Sequence, residues 1–335
     1  MKQQLTAPGG RKLNYLRLSV TDRCNLRCRY CMPPEGVPKL GHKDILSYEE
    51  LLRLCRLAAQ LGLTKLRLTG GEPLVRRGLI DFIRRLDREK VFSDLRLTTN
   101  GLLLPDLAGE LKEAGLSGLN ISLDSLDPAV YAQISGRLGR EGREAAARAR
   151  AGFQAALREG FKTKINCVPL RGVNDGQLAS LARLALEYPV DVRFIEHMPI
   201  GSSGLWSAER FLPAAEVLAI LSRELGPLEP LPAADPSAPA RLFKAAGALG
   251  AIGFISPVSG HFCGLCNRLR LTSDGKLKPC LLTGREVDLR SALRGGADDE
   301  LIKGLFQQAS ALKPLSYLEA APAEAGSREM NRIGG

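Results

Sequence analysis

From residue 13 to 198, short apolar runs alternate with amphipathic stretches of helical length. Six runs read as strands, at 15–20, 65–69, 95–99, 119–123, 164–169 and 192–196. Between them, apolar positions recur at helical spacing over 47–61, 78–89, 105–114, 142–159 and 176–188, and Ser47 with Glu50 forms a capping box for the first helix. Repeated βα units with right-handed crossovers predict a parallel sheet, either doubly wound or curled toward a barrel. Six units fall short of a closed eight-stranded barrel. Polar and glycine residues gather just past the strands: 21–31 after the first, 70–73 after the second, Asn100 and Gly101 after the third, 122–125 at the fourth, His197 and Met198 after the sixth. In a barrel the carboxyl ends of all strands face one mouth, so this placement favours the barrel.

Elsewhere the pattern changes. Residues 226–240 carry Pro227, Pro230, Pro232, Pro236 and Pro239 and read as an extended surface loop. The stretch 137–150 sets arginines and glutamates among alanines, as expected of a helix with a solvent-exposed charged face. Residues 319–335 are rich in Ala, Gly and Glu, and on composition form a frayed tail.

Composition adds bounds. The chain has 335 residues, 44% hydrophobic and 25% charged, enough for a substantial core in an ordinary globular protein. The amino end lacks a signal-peptide core, and the longest apolar run, 245–255, is glycine-broken and too short to span a bilayer, so a cytoplasmic protein without membrane contact is expected. A net charge of +11 asks for an anionic partner: nucleic acid, an anionic membrane surface or a small polyanion such as a nucleoside triphosphate. Basic residues within the strand runs, and the lack of RNA-recognition aromatic motifs, favour the small polyanion.

Eight cysteines without an export signal point to metal or redox chemistry rather than disulfides. Cys55, in an amphipathic helix, and Cys167, within a strand, read as small buried apolar residues. The other six form two groups, Cys24, Cys28 and Cys31 as C-x3-C-x2-C, and Cys263, Cys266 and Cys280 as C-x2-C-x13-C. Each supplies three thiolates. Structural zinc takes four ligands; His261 could complete the second group, but neither group has the paired histidines of a finger. A cubane iron-sulfur cluster held by three cysteines keeps one iron open to a ligand, and two such clusters fit better. Gly70-Gly71-Glu72-Pro73 directly follows a strand, where glycines let the backbone approach a ligand and unpaired amides and carbonyls can hold an amino or carboxylate group.

The first cysteine group, with Tyr30 before its last cysteine and Gly-Gly-Glu-Pro one strand later, resembles the radical S-adenosylmethionine (SAM) superfamily. Arg17-Leu-Ser-Val-Thr-Asp-Arg-Cys, Thr98-Thr-Asn-Gly, Asn120-Ile-Ser-Leu-Asp-Ser-Leu, Arg193-Phe-Ile-Glu, Cys263-Gly-Leu-Cys-Asn-Arg-Leu-Arg-Leu-Thr and the terminal Ile333-Gly-Gly narrow the resemblance to the GTP 3′,8-cyclase family of molybdenum cofactor biosynthesis, over about 11–335. That resemblance implies an α/β fold, an incomplete (βα)6 TIM-like barrel at 1–200 with a SAM-binding [4Fe-4S] cluster, and a carboxyl-terminal extension at 201–335 with a second [4Fe-4S] cluster and a Gly-Gly tail. Cys24, Cys28 and Cys31 would ligate the first cluster, and Cys263, Cys266 and Cys280 the second, whose open iron takes the guanine edge. Tyr30, Gly71, Ser122 and Met198 would contact SAM; Arg17, Arg67, Thr98, Lys164, Arg193, Arg268 and Arg270 would contact GTP. The implied reaction has a 5′-deoxyadenosyl radical removing hydrogen from C3′ of GTP, then attack on C8 and reduction to (8S)-3′,8-cyclo-7,8-dihydroguanosine 5′-triphosphate. Gly334 and Gly335 would reach into the active site and be needed for turnover, reversing the frayed-tail reading. Implied partners are GTP, an electron donor and, for product hand-off, cyclic pyranopterin monophosphate synthase; a homodimer is allowed, and neither nucleic acid nor membrane is expected.

Two departures stand out. The segment 137–150 is longer than the family's loop and touches no motif, and His197 stands where the family carries an apolar or aromatic residue and reads as a satisfied histidine. The rivals are a radical SAM peptide-modifying enzyme with an auxiliary cluster, which usually has more carboxyl-terminal cysteines and no Gly-Gly end, and a zinc or iron-sulfur module that binds nucleic acid.

Overall fold

The computed structural model describes residues 4–201, 206–233, 235–320 and 328–334. The six runs form parallel strands: β1 (Tyr15–Ser19), β2 (Lys65–Thr69), β3 (Asp94–Thr99), β4 (Gly118–Ser122), β5 (Lys162–Cys167) and β6 (Asp191–Ile195), each paired with its sequence neighbour. Their sequences share a period of two: Tyr-Leu-Arg-Leu-Ser in β1, Lys-Leu-Arg-Leu-Thr in β2, Asp-Leu-Arg-Leu-Thr-Thr in β3. Leu16, Leu18, Leu66, Leu68 and Leu97 are buried in the main core against the helices, whereas the alternate arginines are only partly buried and share the opposite, lumenal face. Apolar layers usually fill a barrel interior; this lumen is polar.

The helices α1 (Tyr48–Gln60), α2 (Leu79–Arg88), α3 (Leu104–Glu113), α4 (Pro128–Ser135), α5 (Gly139–Arg158) and α6 (Leu178–Glu187) intervene. Both bonds of the Ser47–Glu50 capping box are present. Helix α4 lies outside the sequence expectation, although Asp127-Pro128 is a start signal: Asp127 caps the amides of Ala129 and Val130, and Pro128 sits at the first helical position.

After residue 201 the chain adds β7 (Leu228–Pro230), β8 (Ala240–Ala245), β9 (Ala251–Ile255), β10 (Arg268–Leu271), β11 (Lys276–Lys278) and β12 (Val287–Asp288). The resulting 12-stranded sheet runs β12-β11-β10-β1-β2-β3-β4-β5-β6-β9-β8-β7. Thus β9 extends the parallel sheet beyond β6 and β10 extends it before β1, so the extension flanks both edges of the barrel. Leu269, Leu277 and Phe306 join the same hydrophobic core as the strand leucines.

Two expectations change here. The proline-rich segment is not simply a surface loop: β7 lies within it, Asp235 accepts from Lys65 Nζ at 2.7 Å, and Ser237 accepts from Asn267 Nδ2 at 2.7 Å, tying it beneath the amino-terminal ends of β2 and β10. The charged face of α5 is exposed, as expected, with Arg140 paired to Glu144. The segment does touch a motif, however, because Arg137 donates to the carbonyl of Asn25, at 2.6 Å from Nη2, inside the first cysteine loop. No helix among the described residues is long and apolar enough to cross a membrane.

Candidate functional site

The first cysteine loop follows β1 and is held chiefly through its backbone. Arg27 and Arg29 amides donate to the carbonyls of Ser135 and Ile134 at the end of α4, and the Cys31 amide donates to Cys28 O at 2.8 Å. Gly136 allows this approach: it sits at φ +68°, and a Cβ there would lie 2.3 Å from Arg27 O. The Gly-Gly-Glu-Pro turn packs on the same loop. The Gly71 and Glu72 amides donate to Thr21 O and Arg23 O, each at 2.8 Å, and a Cβ on Gly71 would collide with Arg23 O at 2.5 Å. The turn's glycines therefore serve loop-to-loop contact, and these two amides are not left for a ligand as the sequence suggested. Glu72 is 1% exposed and accepts from Leu74 N, Thr99 Oγ1 and Asn100 N, locking the turn to the Thr98-Thr-Asn-Gly segment. Burial pushes its carboxyl up to about 7 despite those bonds.

Cys24, Cys28 and Cys31 are half-buried, and burial pushes their thiols up, to about 11 for Cys24, about 12 for Cys31 and well above the ordinary range for Cys28. Such thiols become thiolates against a cation, which the irons of a cluster provide. Among the described residues no three Cys, His, Asp or Glu side chains converge as ligands of a single metal ion. A cubane places each thiolate on a different iron, so its ligands stand farther apart than those of one zinc. Tyr30, within the same loop, donates its hydroxyl to Asp124 at 2.8 Å; Asp124 also accepts from Val168 N at 2.9 Å and is pushed up to about 6 by burial.

The second group is assembled from distant segments. Cys263 and Cys266 occupy one short turn before β10, with the Cys266 amide donating to Cys263 O at 3.1 Å, and Cys280 follows β11. Lys313, 3% exposed, donates through Nζ to Arg268 O and Pro279 O, each at 2.7 Å, fastening the two cysteine segments together. Arg11 donates to Cys263 O at 2.7 Å and to Lys313 O and Pro314 O. Burial raises the Cys266 thiol, but Lys313 and Arg268 more than offset it and bring it to about 7. His261 takes no part in a ligand set in this arrangement; its ring stacks on Tyr317 with centroids 4.1 Å apart, and Nδ1 lies 2.9 Å from Pro257 O.

One cavity joins these parts. Tyr30, Ser122, Met198, Arg17 and Thr98 line it, as do Cys263, Cys266, Cys280, Arg268 and Arg270. Deeper in the lumen Arg17, Arg67 and Arg96 lie side by side in register, and Arg270 pairs with Arg17 from β10. Asp191 joins Lys164 and Arg193 at 3.0 Å each, and Arg67 lies 5.6 Å over the Tyr15 ring. The basic side chains thus occupy mid-strand lumenal positions rather than strand ends alone. Burial, then the neighbouring Arg268, pulls Arg270 down to about 10, and burial followed by Arg193 pulls Lys164 to about 8. Cations that depress one another in a polar lumen are matched by a polyanion. Buried Thr98 Oγ1, Asn120 Oδ1, Asn166 Oδ1 and the Nε atoms of Arg67 and Arg193 also lack hydrogen-bond partners among the described residues, as a polar ligand would leave them.

Residues 328–334 of the tail are packed against the barrel, not frayed. Arg328 pairs with Asp274 and Glu286 at 3.0 Å each, Asn331 Nδ2 donates to Asp22 O at 2.8 Å, and Ile333 packs with Ile200, Leu282 and Ala320. Gly334, at φ +75°, accepts from Arg270 Nη1 at 3.0 Å, and a Cβ there would meet Thr69 Oγ1 at 2.6 Å. Gly335 lies outside the described residues. His197 departs from the satisfied histidine expected: it is 4% exposed, yet neither ring nitrogen has a hydrogen-bond partner among the described residues. Sequence reasoning missed Glu72, Asp124, Arg11 and Lys313 as supports; the first two lay inside motifs already singled out, whereas nothing local marks Arg11 or Lys313.

Comparison with known proteins agrees with this geometry. The radical SAM superfamily model matches residues 18–185, and the model described as Molybdenum Cofactor Synthesis C matches residues 190–318. The GTP 3′,8-cyclase of Pelotomaculum thermopropionicum is 48% identical over 326 residues, covering 97% of this chain and 98% of that protein. That of Moorella thermoacetica is 46% identical over 329 residues, with 97% and 98% covered. Among solved structures, Streptococcus suis SuiB bound to S-adenosylmethionine has a TM-score of 0.57 at 14% identity, covering 96% of this chain and 77% of that one, a likeness of fold. With Tyr30 of the first cysteine loop and all of the second cysteine group on one cavity with Arg17, Arg268 and Arg270, and relatives matched along nearly its whole length, the chain belongs to the radical SAM superfamily and, within it, to the GTP 3′,8-cyclase family.

Proposed function

We infer that the chain is a radical SAM enzyme that converts GTP to (8S)-3′,8-cyclo-7,8-dihydroguanosine 5′-triphosphate, the first step of molybdenum cofactor biosynthesis. The observation that carries this reading is the one cavity shared by Tyr30, the second cysteine group and Arg17, Arg268 and Arg270. Cys24, Cys28 and Cys31 would hold one [4Fe-4S] cluster, and Cys263, Cys266 and Cys280 a second. When bound, the first cluster and SAM supply the one-electron chemistry that removes hydrogen from C3′ of GTP.

The chain's own residues bind, orient and exclude. Tyr30, fixed by Asp124, together with Gly71, Ser122 and Met198, forms the SAM wall; Gly71 offers its carbonyl, its amide being given to Thr21 and the space beside its α-carbon to Arg23. Arg17, Arg67, Lys164, Arg193, Arg268 and Arg270 gather the triphosphate, since guanidinium forks match phosphate oxygens and several charges must converge to hold four negative ones. Thr98 offers a buried hydroxyl to the nucleoside. The second cluster would hold the guanine edge, setting C8 against C3′. Gly334, bound by Arg270 against Thr69, carries the tail toward the substrate, and with Gly335 would complete the site during cyclisation.

We also propose a functional division near residue 200, barrel before and second-cluster extension after, although both share one sheet and core. An electron donor is required because the reaction consumes reducing equivalents; product passes to cyclic pyranopterin monophosphate synthase, and a homodimer is compatible with this scheme. A cytoplasmic setting suits eight unpaired cysteines. Anaerobic reconstitution followed by iron and sulfide analysis tests the two clusters: about eight of each per chain is expected, and about four would remove the second. Incubation with dithionite, SAM and GTP should yield the cyclised triphosphate by mass spectrometry; SAM cleavage with GTP unchanged would defeat the substrate assignment.

A further inference from the structure

Residues 137–150, where the turn after α4 leads into α5, carry five arginines against two glutamates, and residues 23–31 of the first cysteine loop carry Arg23, Arg27 and Arg29 with no carboxylate. The structure joins the two segments. Arg137 donates to Asn25 O from Nε at 3.2 Å as well as from Nη2, and the Arg29 amide donates to Ile134 O at 3.0 Å. Arg23, Arg29, Arg140 and Arg143 are exposed, and none of them lines the lumenal cavity. The two glutamates are engaged locally, Glu141 with Arg137 at 2.9 Å and Glu144 with Arg140 at 2.7 Å. Arg29 also lines a surface cleft with Arg210 and with Arg171, which pairs with Glu216.

Between Arg137 and Arg140 stands Leu138, 74% exposed. It caps the start of α5 without a side-chain bond, where Ser, Thr, Asp or Asn would stabilise the helix. An exposed apolar residue among charges serves a contact better than it serves the fold. No aromatic residue lies in 137–150 for a base to stack on, which disfavours nucleic acid as the partner. The inferred reaction takes up electrons from outside, one for cleavage of SAM and one for reduction after ring closure. The lumen is the proposed site of SAM and GTP, so a protein that delivers the first electron reaches the cysteine loop from the outer surface.

We propose that Arg23, Arg29, Leu138, Arg140 and Arg143 form the docking surface for an acidic one-electron carrier protein that reduces the first cluster. The inference rests on the reading of the chain as a radical SAM enzyme. The carrier is oxidised by one electron as the cluster is reduced by one, and no covalent bond or proton is exchanged at the surface. Complementary charge steers short-lived complexes of this kind and makes their formation sensitive to salt. Leu138 supplies the apolar contact, and Arg137 ties the surface to the backbone of Asn25, next to Cys24.

The test drives turnover of cluster-loaded protein anaerobically, either with dithionite, a small reductant that needs no docking surface, or with reduced flavodoxin or reduced ferredoxin, acidic one-electron proteins. At limiting carrier and about 50 mM KCl, the double variant Arg140→Glu/Arg143→Glu should form product roughly tenfold more slowly than wild type, while its dithionite-driven rate stays within about twofold. The wild-type carrier-driven rate should fall between about 50 and 300 mM KCl, and the double variant should flatten that fall. Leu138→Ser should lower the carrier-driven rate roughly threefold and melt no lower than wild type. An unchanged carrier-driven rate and salt dependence in the double variant would overturn the proposal. Equal loss with dithionite would overturn it too, marking a structural effect on the cysteine loop, as would a wild type that turns over with dithionite but with neither carrier. A wild type inactive with dithionite would instead sink the functional reading beneath it.

Discussion

The two cysteine groups offer the same ligands in opposite settings. Around Cys24, Cys28 and Cys31 the supports are backbone amides and carbonyls, and burial, with the Asp124 and Glu72 carboxylates nearby, holds the thiols in their neutral form until a cation arrives. Around Cys263, Cys266 and Cys280 the supports are cations: Arg11, Arg268 and Lys313. Positive charge beside a cluster favours its reduced, more negative state, and hydrogen bonding and solvation shift it further. The difference suits a division of labour in which the first group holds a strongly reducing cluster and the second holds a cluster whose task is to bind substrate.

Cysteine substitutions should separate the two groups most severely. Replacing Cys24 by Ala should abolish SAM cleavage and lower iron from about eight to about four atoms per chain, whereas Cys266→Ala should lower iron equally yet preserve SAM cleavage uncoupled from cyclisation. Identical loss of SAM cleavage in both variants would erase the proposed division. Next comes the tail: without Gly334 and Gly335, the protein should bind SAM and GTP near wild-type strength but form no cyclised product, and a truncated enzyme with full activity would remove the tail, and its bond to Arg270, from the catalytic machinery.

Lys313→Met should loosen the second group alone, because its ammonium ties the Arg268 and Pro279 carbonyls together. Losing these charged bonds in a buried site is worth about 1–3 kcal/mol, so second-cluster loading should fall roughly tenfold in competition with a chelator while the first cluster stays filled. Equal loss from both groups would show Lys313 to be a general stabiliser. The smallest effect belongs to pH. Lys164, pulled down to about 8 by burial and by Arg193, is protonated below that value and loses its charge as pH rises through it. GTP affinity should therefore weaken by roughly threefold to tenfold between about pH 7 and 9, and Lys164→Arg should flatten that part of the profile because its guanidinium stays charged. An unchanged slope in Lys164→Arg would remove Lys164 from the triphosphate site.

The same contrast explains what could be read in the chain. The first group, Tyr30 and the Gly-Gly-Glu-Pro turn lie within two successive βα units, so periodicity and spacing located them together. The second group's ligands were visible as cysteines, but Arg11 and Lys313 reach them from sequence separations of 252 and, for the Lys313 bond to Arg268, 45 residues, and no local pattern records such a contact. The strands flanking the barrel, β9 and β10, each pair antiparallel with a sequence neighbour, β8 and β11, but nothing local records their parallel pairing with β6 and β1. The alternating Leu-Arg-Leu pattern places the arginines within the strands but does not say which face is lumenal, because apolar barrel interiors are the usual case and a polar lumen reverses which face the arginines occupy. His197 shows the limit most clearly, since whether a buried histidine is satisfied depends on atoms that sequence does not place.

If the lumenal cavity takes both ligands, it brings SAM to C3′ of GTP. With reconstituted protein, dithionite, SAM and GTP deuterated at C3′, mass spectrometry of the recovered 5′-deoxyadenosine reads this directly. Deuterium should appear in the 5′-deoxyadenosine in step with cyclised product; SAM cleaved at full rate with no label transferred would show that C3′ of GTP is not the hydrogen donor.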